Sequence, residues 1–172
     1  MKGIDIVAEL MTISAVTAPK GAGKDFVQIE TIKGPALKKL AQAMLAFGER
    51  SKKKDFDRDS KNVMNSEAVL LIGLSHAQPV GLNCGACGFP TCDDLLKQEP
   101  MDGEFKGPIC AVRLLDMGIA LGSAVKTASM LNVDNRIMYR IGVAAREIKM
   151  VDWEYVMGIP LSATGKSIYF DR

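Results

Sequence analysis

Ala111-Val112-Arg113-Leu114-Leu115-Asp116-Met117-Gly118-Ile119-Ala120-Leu121-Gly122-Ser123-Ala124-Val125-Lys126-Thr127-Ala128-Ser129-Met130-Leu131 is the longest helical stretch the chain can form, and it is apolar on nearly every side. A helix of that composition belongs at the centre of a fold. Asp116 and Lys126 interrupt the run, which argues against a membrane span. Gly118 and Gly122, four residues apart, would let another backbone approach closely. Immediately before this helix stands Cys110, and before that the segment Cys84-Gly85-Ala86-Cys87-Gly88-Phe89-Pro90-Thr91-Cys92.

Upstream, Ile6, Val7, Leu10, Met11 and Ile13 are spaced for a helix over 4–16. The Pro- and Gly-rich run 18–24 breaks it. Phe26 to Ile32 reads as a strand, and Gly34-Pro35 opens a helix with an apolar face of Leu37, Leu40, Ala41, Met44 and Leu45. Residues 49–61 carry charges of both signs and read as a solvated face. Glu67 to Leu74 contains Val69-Leu70-Leu71-Ile72, which suits a strand covered on both faces and leads straight to the cysteines. Downstream, Ile137–Val143 and Tyr155–Leu161 read as strands, with a short helix over 144–148 between them. The sum is a single α+β domain over 1–172, its central buried helix packed on a mixed sheet, with a cluster-binding segment over 67–127 inserted mid-chain.

The 172 residues are 48% hydrophobic and 24% charged, with net charge +2. That balance supplies no basic field for nucleic acid. The ten methionines read as core filler. Asp5 and Glu9 interrupt any apolar run at the start, so a cytoplasmic protein is expected. In a reducing cytosol four cysteines bind metal sooner than they pair as disulfides.

The cysteine pattern is C-x2-C-x4-C-x17-C. Four thiolates on a tight wrapping loop are what an iron–sulfur cluster needs. Gly85 and Gly88 permit turns that a β-carbon would block and expose N–H groups toward cluster sulfides. Cys110 at a helix N-terminus would set an anionic cluster against the positive end of the dipole. Leu82, Phe89, Ile109 and Val112 are candidates for keeping water away. A structural zinc site would want a second close pair, which Cys92 and Cys110 do not form. A Cys84–Cys87 redox pair would leave the other two cysteines without a role.

This spacing resembles the four-cysteine domain of the Rnf complex B subunit and that of the corrinoid iron–sulfur subunit of acetyl-CoA decarbonylase/synthase. The resemblance implies a [4Fe–4S] cluster held by Cys84, Cys87, Cys92 and Cys110. Over its whole length the chain resembles an uncharacterised family of prokaryotic ferredoxin-domain proteins. That resemblance is carried by Thr17-Ala18-Pro19-Lys20-Gly21, the cysteine segment, Asp116-Met117-Gly118-Ile119-Ala120 and Gly158-Ile159-Pro160-Leu161-Ser162 through Phe170-Asp171-Arg172. The order of helix, Ala18-Pro19 loop, strand and late Gly158-Ile159-Pro160 strand also resembles the flavin-dependent nitroreductase fold. This second resemblance implies FMN, with Lys20 and Lys24 as candidate phosphate holders, although the arginine-rich start of those enzymes is missing.

Gly21-Ala22-Gly23-Lys24 is not a nucleotide P-loop, because Ala18 and Asp25 stand where that motif needs Gly and Ser or Thr. His76, the single histidine, reads as a strand-end residue, with tuning of a cluster as the alternative. Asp93 and Asp94 read as helix-start residues, and Trp153 and Tyr169-Phe170 as core or dimer-face packing. Three functions remain in view: an electron-transfer protein with a redox partner, a flavin-dependent oxidoreductase with a cluster relay, and a cluster-based sensor or scaffold. A homodimer is compatible with each.

Overall fold

In a computed structural model that describes residues 2–170, the central strand β2, Ala68–Leu74, is buried at all seven positions. Its side chains alternate. Ala68, Leu70, Ile72 and Leu74 enter one core, and Val69 and Leu71 the other. That is what period-2 geometry makes of a continuous apolar run between two helical layers. β2 pairs antiparallel with β1, Val27–Ile32, on one side and with β6, Tyr155–Ser162, on the other. The two-residue β5, Asp134–Asn135, closes the sheet antiparallel to β6, giving the order β1-β2-β6-β5.

One face of the sheet carries α1, Lys2–Val16, and α5, Ala111–Met130. The other carries α2, Gly34–Ser51, α3, Phe56–Met64, and α6, Tyr139–Glu147. Between β2 and α5 runs the cysteine segment, with the short helix α4, Cys92–Leu96, and a small hairpin of β3, Met101–Asp102, and β4, Lys106–Gly107. Asp171 and Arg172, which closed the family resemblance, lie outside the described residues.

The α+β class stands, with four corrections. First, the sheet's strand pairings are all antiparallel, not mixed: the connections β1 to β2 and β5 to β6 each begin and end at the same end of the sheet, and the one that crosses it, β2 to β5, joins strands that are not neighbours. Second, Ile137–Val143 is not a strand. Met138 makes a single bridge to Gly158, and the chain then enters α6. Met138, Ile141, Gly142 and Ala145 recur at helical spacing and form the face laid on β6. Gly142 and Gly158 make that approach close: a β-carbon on Gly142 would lie 1.8 Å from Val156 O.

Third, α5 is central but not buried all round. Arg113, Asp116, Met117, Ala120, Leu121, Ala124 and Ala128 face inward, while Leu115 and Ile119 are exposed. Gly118 and Gly122 point into open space, with no backbone packed on them among the described residues. Fourth, the charged run 49–61 is not wholly solvated. Asp59 is buried at 1% exposure and held by Arg58 and Arg140, with the Arg140 Nη1 contact at 2.8 Å. Leu45, expected on the apolar face of α2, is exposed.

Candidate functional site

The cysteine segment begins where β2 ends, and several bonds fasten it there. Ser75 N–H donates to Phe26 O at 3.1 Å. His76 takes φ +53° and donates its N–H to both carboxylate oxygens of Glu154, at 2.8 and 3.0 Å. A left-handed residue held by a carboxylate ends the strand sharply. Asn83, also left-handed, turns its Oδ1 to accept the Cys92 N–H at 2.8 Å. Gly85 and Gly88 adopt φ +72° and +87°, as turns between Cys84, Cys87 and Cys92 demand. Gly88 N–H closes the tighter turn onto Gly85 O.

Thr91 caps α4. Its Oγ accepts the Asp94 N–H at 3.1 Å and donates to Asp94 Oδ2 at 2.7 Å. That bond from Thr91, with a further one from Lys97, holds the Asp94 carboxyl below the usual range. Asp93 and Asp94 are thus helix-start residues, as expected.

Cys84, Cys87, Cys92 and Cys110 all line one cavity, with Val80, Leu82, Asn83, Phe89, Thr91 and Val112 completing the wall. Exposure is graded: Cys84 is open to solvent, Cys87 and Cys92 are half-buried, and Cys110 is buried. Leu82, expected as a water shield, is itself 63% exposed. Among the described residues, no three His, Cys, Asp or Glu side chains converge tightly enough to hold a single ion.

Cys110 is the N-cap of α5. Burial works against its thiolate, but the N–H groups of Val80, Arg113 and Val112 and the Arg113 charge outweigh it. The thiol is held below its ordinary range. Cys110 thus stands at the N-terminus of the long helix, where the sequence placed it.

Of the candidates outside the cysteines, His76 does not line their cavity. It lines a neighbouring one of about 270 Å³, which Cys110 also borders, together with Gln78, Lys106 and Glu154. The Lys20 side chain is 6% exposed; its ammonium donates to Ala15 O at 3.0 Å and to Val16 O and pairs with Asp25. It closes the C-terminus of α1. Tyr169 is 2% exposed and shares a hydrogen bond with Ser66, as a core residue does, whereas Phe170 is exposed.

The sequence reading passed over Arg113 as a site residue. Buried beside Cys110, it donates to Gln78 O, Gly21 O, Lys24 O and Asp116 Oδ2. Its signal was an Arg and an Asp three apart in the first turns of a largely apolar helix.

Two family matches coincide with this geometry. A family described as "Uncharacterized protein containing a ferredoxin domain" matches residues 106–172, and one described as "Putative Fe-S cluster" matches residues 81–98. An uncharacterised protein of Archaeoglobus fulgidus is 49% identical over 171 residues, covering 99% of this chain and 92% of that protein. Solved structures share the fold. A nitroreductase-like protein of Bacillus cereus superimposes with TM-score 0.60 at 12% identity, over 94% of this chain and 75% of its own. The Lactococcus lactis nitroreductase CinD, in complex with nicotinic acid, gives 0.64 at 12%, over 94% and 79%. A Desulfitobacterium hafniense nitroreductase with bound FMN gives 0.57 at 12%, over 94% and 79%. The expected nitroreductase-like architecture is borne out.

Proposed function

The chain belongs to the family of uncharacterised proteins containing a ferredoxin domain, which makes it an iron–sulfur protein, and from that premise we propose that it holds one [4Fe–4S] cluster and transfers single electrons. The observation that carries this reading is the shared cavity: Cys84, Cys87, Cys92 and Cys110 all line it. The left-handed Gly85 and Gly88 and the thiolate-favouring surroundings of Cys110 fit the same group. When bound, such a cluster supplies reversible one-electron chemistry. The protein's part is to bury the inner ligand, direct N–H groups at it and leave the Cys84 side open.

Exposed Leu82, Leu96 and Met101 on the cysteine segment suit the docking of a redox partner. No helix among the described residues is long and apolar enough to cross a membrane. We place the protein in the cytoplasm, where the thiols stay reduced. α1 and α5 pack together and leave Ile6, Ile13, Leu115 and Ile119 in solvent, which favours a homodimer across that face; light scattering should report twice the monomer mass.

Anaerobic purification followed by iron, sulfide, zinc and flavin analysis tests the main claim. About four irons and four sulfides per chain are expected. A colourless protein with one zinc and no sulfide refutes it. Cys87→Ser should bleach the visible absorbance, and retained colour would mean the ligand set is wrong.

The shared fold favours a second reading, a flavin-dependent oxidoreductase in which the cluster feeds FMN. Lys20 is committed to α1 and Asp25, so only Lys24 of the expected phosphate pair remains for that role. FMN released on denaturation would support this reading, and a flavin-free protein with no FMN affinity would end it.

A further inference from the structure

Arg113 is 1% exposed, a fully buried cation one turn into α5 from Cys110. Side chains in a helix lean toward its N-terminus, which here is the Cys110 end. Three segments hold the guanidinium in place. Nε donates to Gln78 O at 2.8 Å; Nη1 donates to Gly21 O at 2.9 Å, to Lys24 O at 3.2 Å and to Asp116 Oδ2 at 2.9 Å. Its carbon lies 4.8 Å from the centre of the Phe26 ring. Asp116 also accepts the Gly21 N–H at 2.8 Å, so the pair fixes the 21–24 turn against the base of the cysteine cavity.

One donor is left over. Nη2 is buried and has no partner among the described residues. A buried guanidinium N–H without an acceptor leaves the positive charge of Arg113 less compensated than a fully paired one. Arg113 lines neither of the cavities that Cys110 borders, so its influence on a group held there is that of a fixed charge one helical turn behind Cys110.

We propose that Arg113 is a positioning residue for the cluster: its fixed charge behind Cys110 favours the reduced state, and Asp116 moderates that charge. The proposal rests on the cluster reading above. Reduction adds one electron from an external donor, with no proton taken up, so the cluster gains one negative charge. A nearby cation stabilises that charge and a nearby carboxylate opposes it.

The test is the midpoint potential, followed by EPR under anaerobic dithionite reduction, on the full chain with iron and sulfide measured first. Arg113→Met should lower the midpoint, disfavouring the reduced form by about tenfold, or about 59 mV for one electron. Arg113→Lys, which keeps the charge and loses the fork, should fall between it and wild type. Asp116→Asn should move the midpoint the opposite way, upward, because it leaves the cation uncompensated. Opposite signs separate an electrostatic role from mere loosening of the site, which would shift both variants alike. Equal midpoints, or shifts of the same sign, in variants with full iron content overturn the proposal. If Arg113→Met fails to fold, the upward shift of Asp116→Asn still decides it. A wild-type chain that binds no iron and sulfide refutes the cluster reading itself, and the metal analysis reports that before any potential is measured.

Discussion

Gly142→Ala probes the joint between α6 and β6, on which the position of the whole second layer depends. A β-carbon there would lie 1.8 Å from Val156 O, 2.5 Å from Val156 C and 3.2 Å from Met157 N. These are backbone atoms of a strand paired with β2 along one edge and bridged to Met138 along the other, so they cannot rotate away. Relieving the contact requires α6 and β6 to separate by roughly 1.5 Å, given ordinary carbon contact distances. That separation would also lift Ile141 out of the notch left by Gly158, where the space for a β-carbon is already filled to 2.1 Å. Helix propensity alone favours Ala over Gly by about 1 kcal/mol. Overpacking costs about 1–3 kcal/mol, and a contact with fixed backbone sits at or above the top of that range. The expected net effect is a destabilisation of about 2 kcal/mol. Gly118→Ala in α5 is the control, because no atom lies within 4 Å of its added carbon; it should gain up to about 1 kcal/mol from propensity alone. Urea unfolding of dilute protein, followed by far-ultraviolet circular dichroism, reads both midpoints. If Gly142→Ala matched or exceeded wild type, α6 would not lie on β6 as described.

Three further outcomes follow from single contacts. Burial pushes the Tyr169 hydroxyl well above the usual tyrosine range, against the opposing bond from Ser66. The folded state therefore keeps its proton where the unfolded chain releases it, near pH 10, and this contribution is present below about pH 10 and lost as pH rises beyond it. Tyr169→Phe should flatten the loss of stability between pH 9 and about 11 in urea titrations, at a cost of about 1 kcal/mol at pH 7 for the Ser66 bond; an unchanged slope would contradict the assignment. Thr91→Ala removes the cap of α4 and should cost about 1 kcal/mol locally, seen as faster loss of iron to a chelator with the global unfolding midpoint unchanged. Ser60→Ala breaks the buried 2.7 Å bond to Ala41 O that ties α3 to α2, and should lower global stability by about 1 kcal/mol in the same urea assay.

What the sequence disclosed follows from how local each cause is. Val69-Leu70-Leu71-Ile72 announces a doubly covered strand because burial on both faces leaves a continuous apolar run. Gly85 and Gly88 announce left-handed turns because the residue type and the conformation are tied within one residue. Ile137–Val143 misled for the opposite reason. Its β-branched residues suit a strand locally, yet the tight seat of Gly142 on Val156, fourteen residues away, selects the helix. Strand direction was equally hidden, since it depends on where each connection returns the chain. Arg113 was invisible as a site residue because its partners, Gly21, Lys24 and Gln78, meet only when three distant segments fold together.

The same contacts explain how so irregular a segment is held. Neither hydrophobic core includes any of the four cysteines; both are filled from the helices α1, α2, α3, α5 and α6, the strands β1, β2 and β6, and their connections. The segment from Ser75 to Cys110 is instead clamped at its margins. Its start is tied to Phe26 and Glu154, and its hairpin is held by Phe105 stacked on Tyr155 at 4.1 Å and by Arg146 bonding Asp102 at 2.8 Å and Glu104 O at 2.6 Å. Its end is fixed by Cys110 capping α5, with Arg113 gripping Gln78 behind it. The frame thus has its own source of stability, while the thiol loop draws its order from clamps at its margins. Such a division sets Cys110 in a fixed electrostatic setting supplied by α5 and leaves Cys84 open to solvent, as the proposed electron-transfer role requires of an inner ligand and an outer edge.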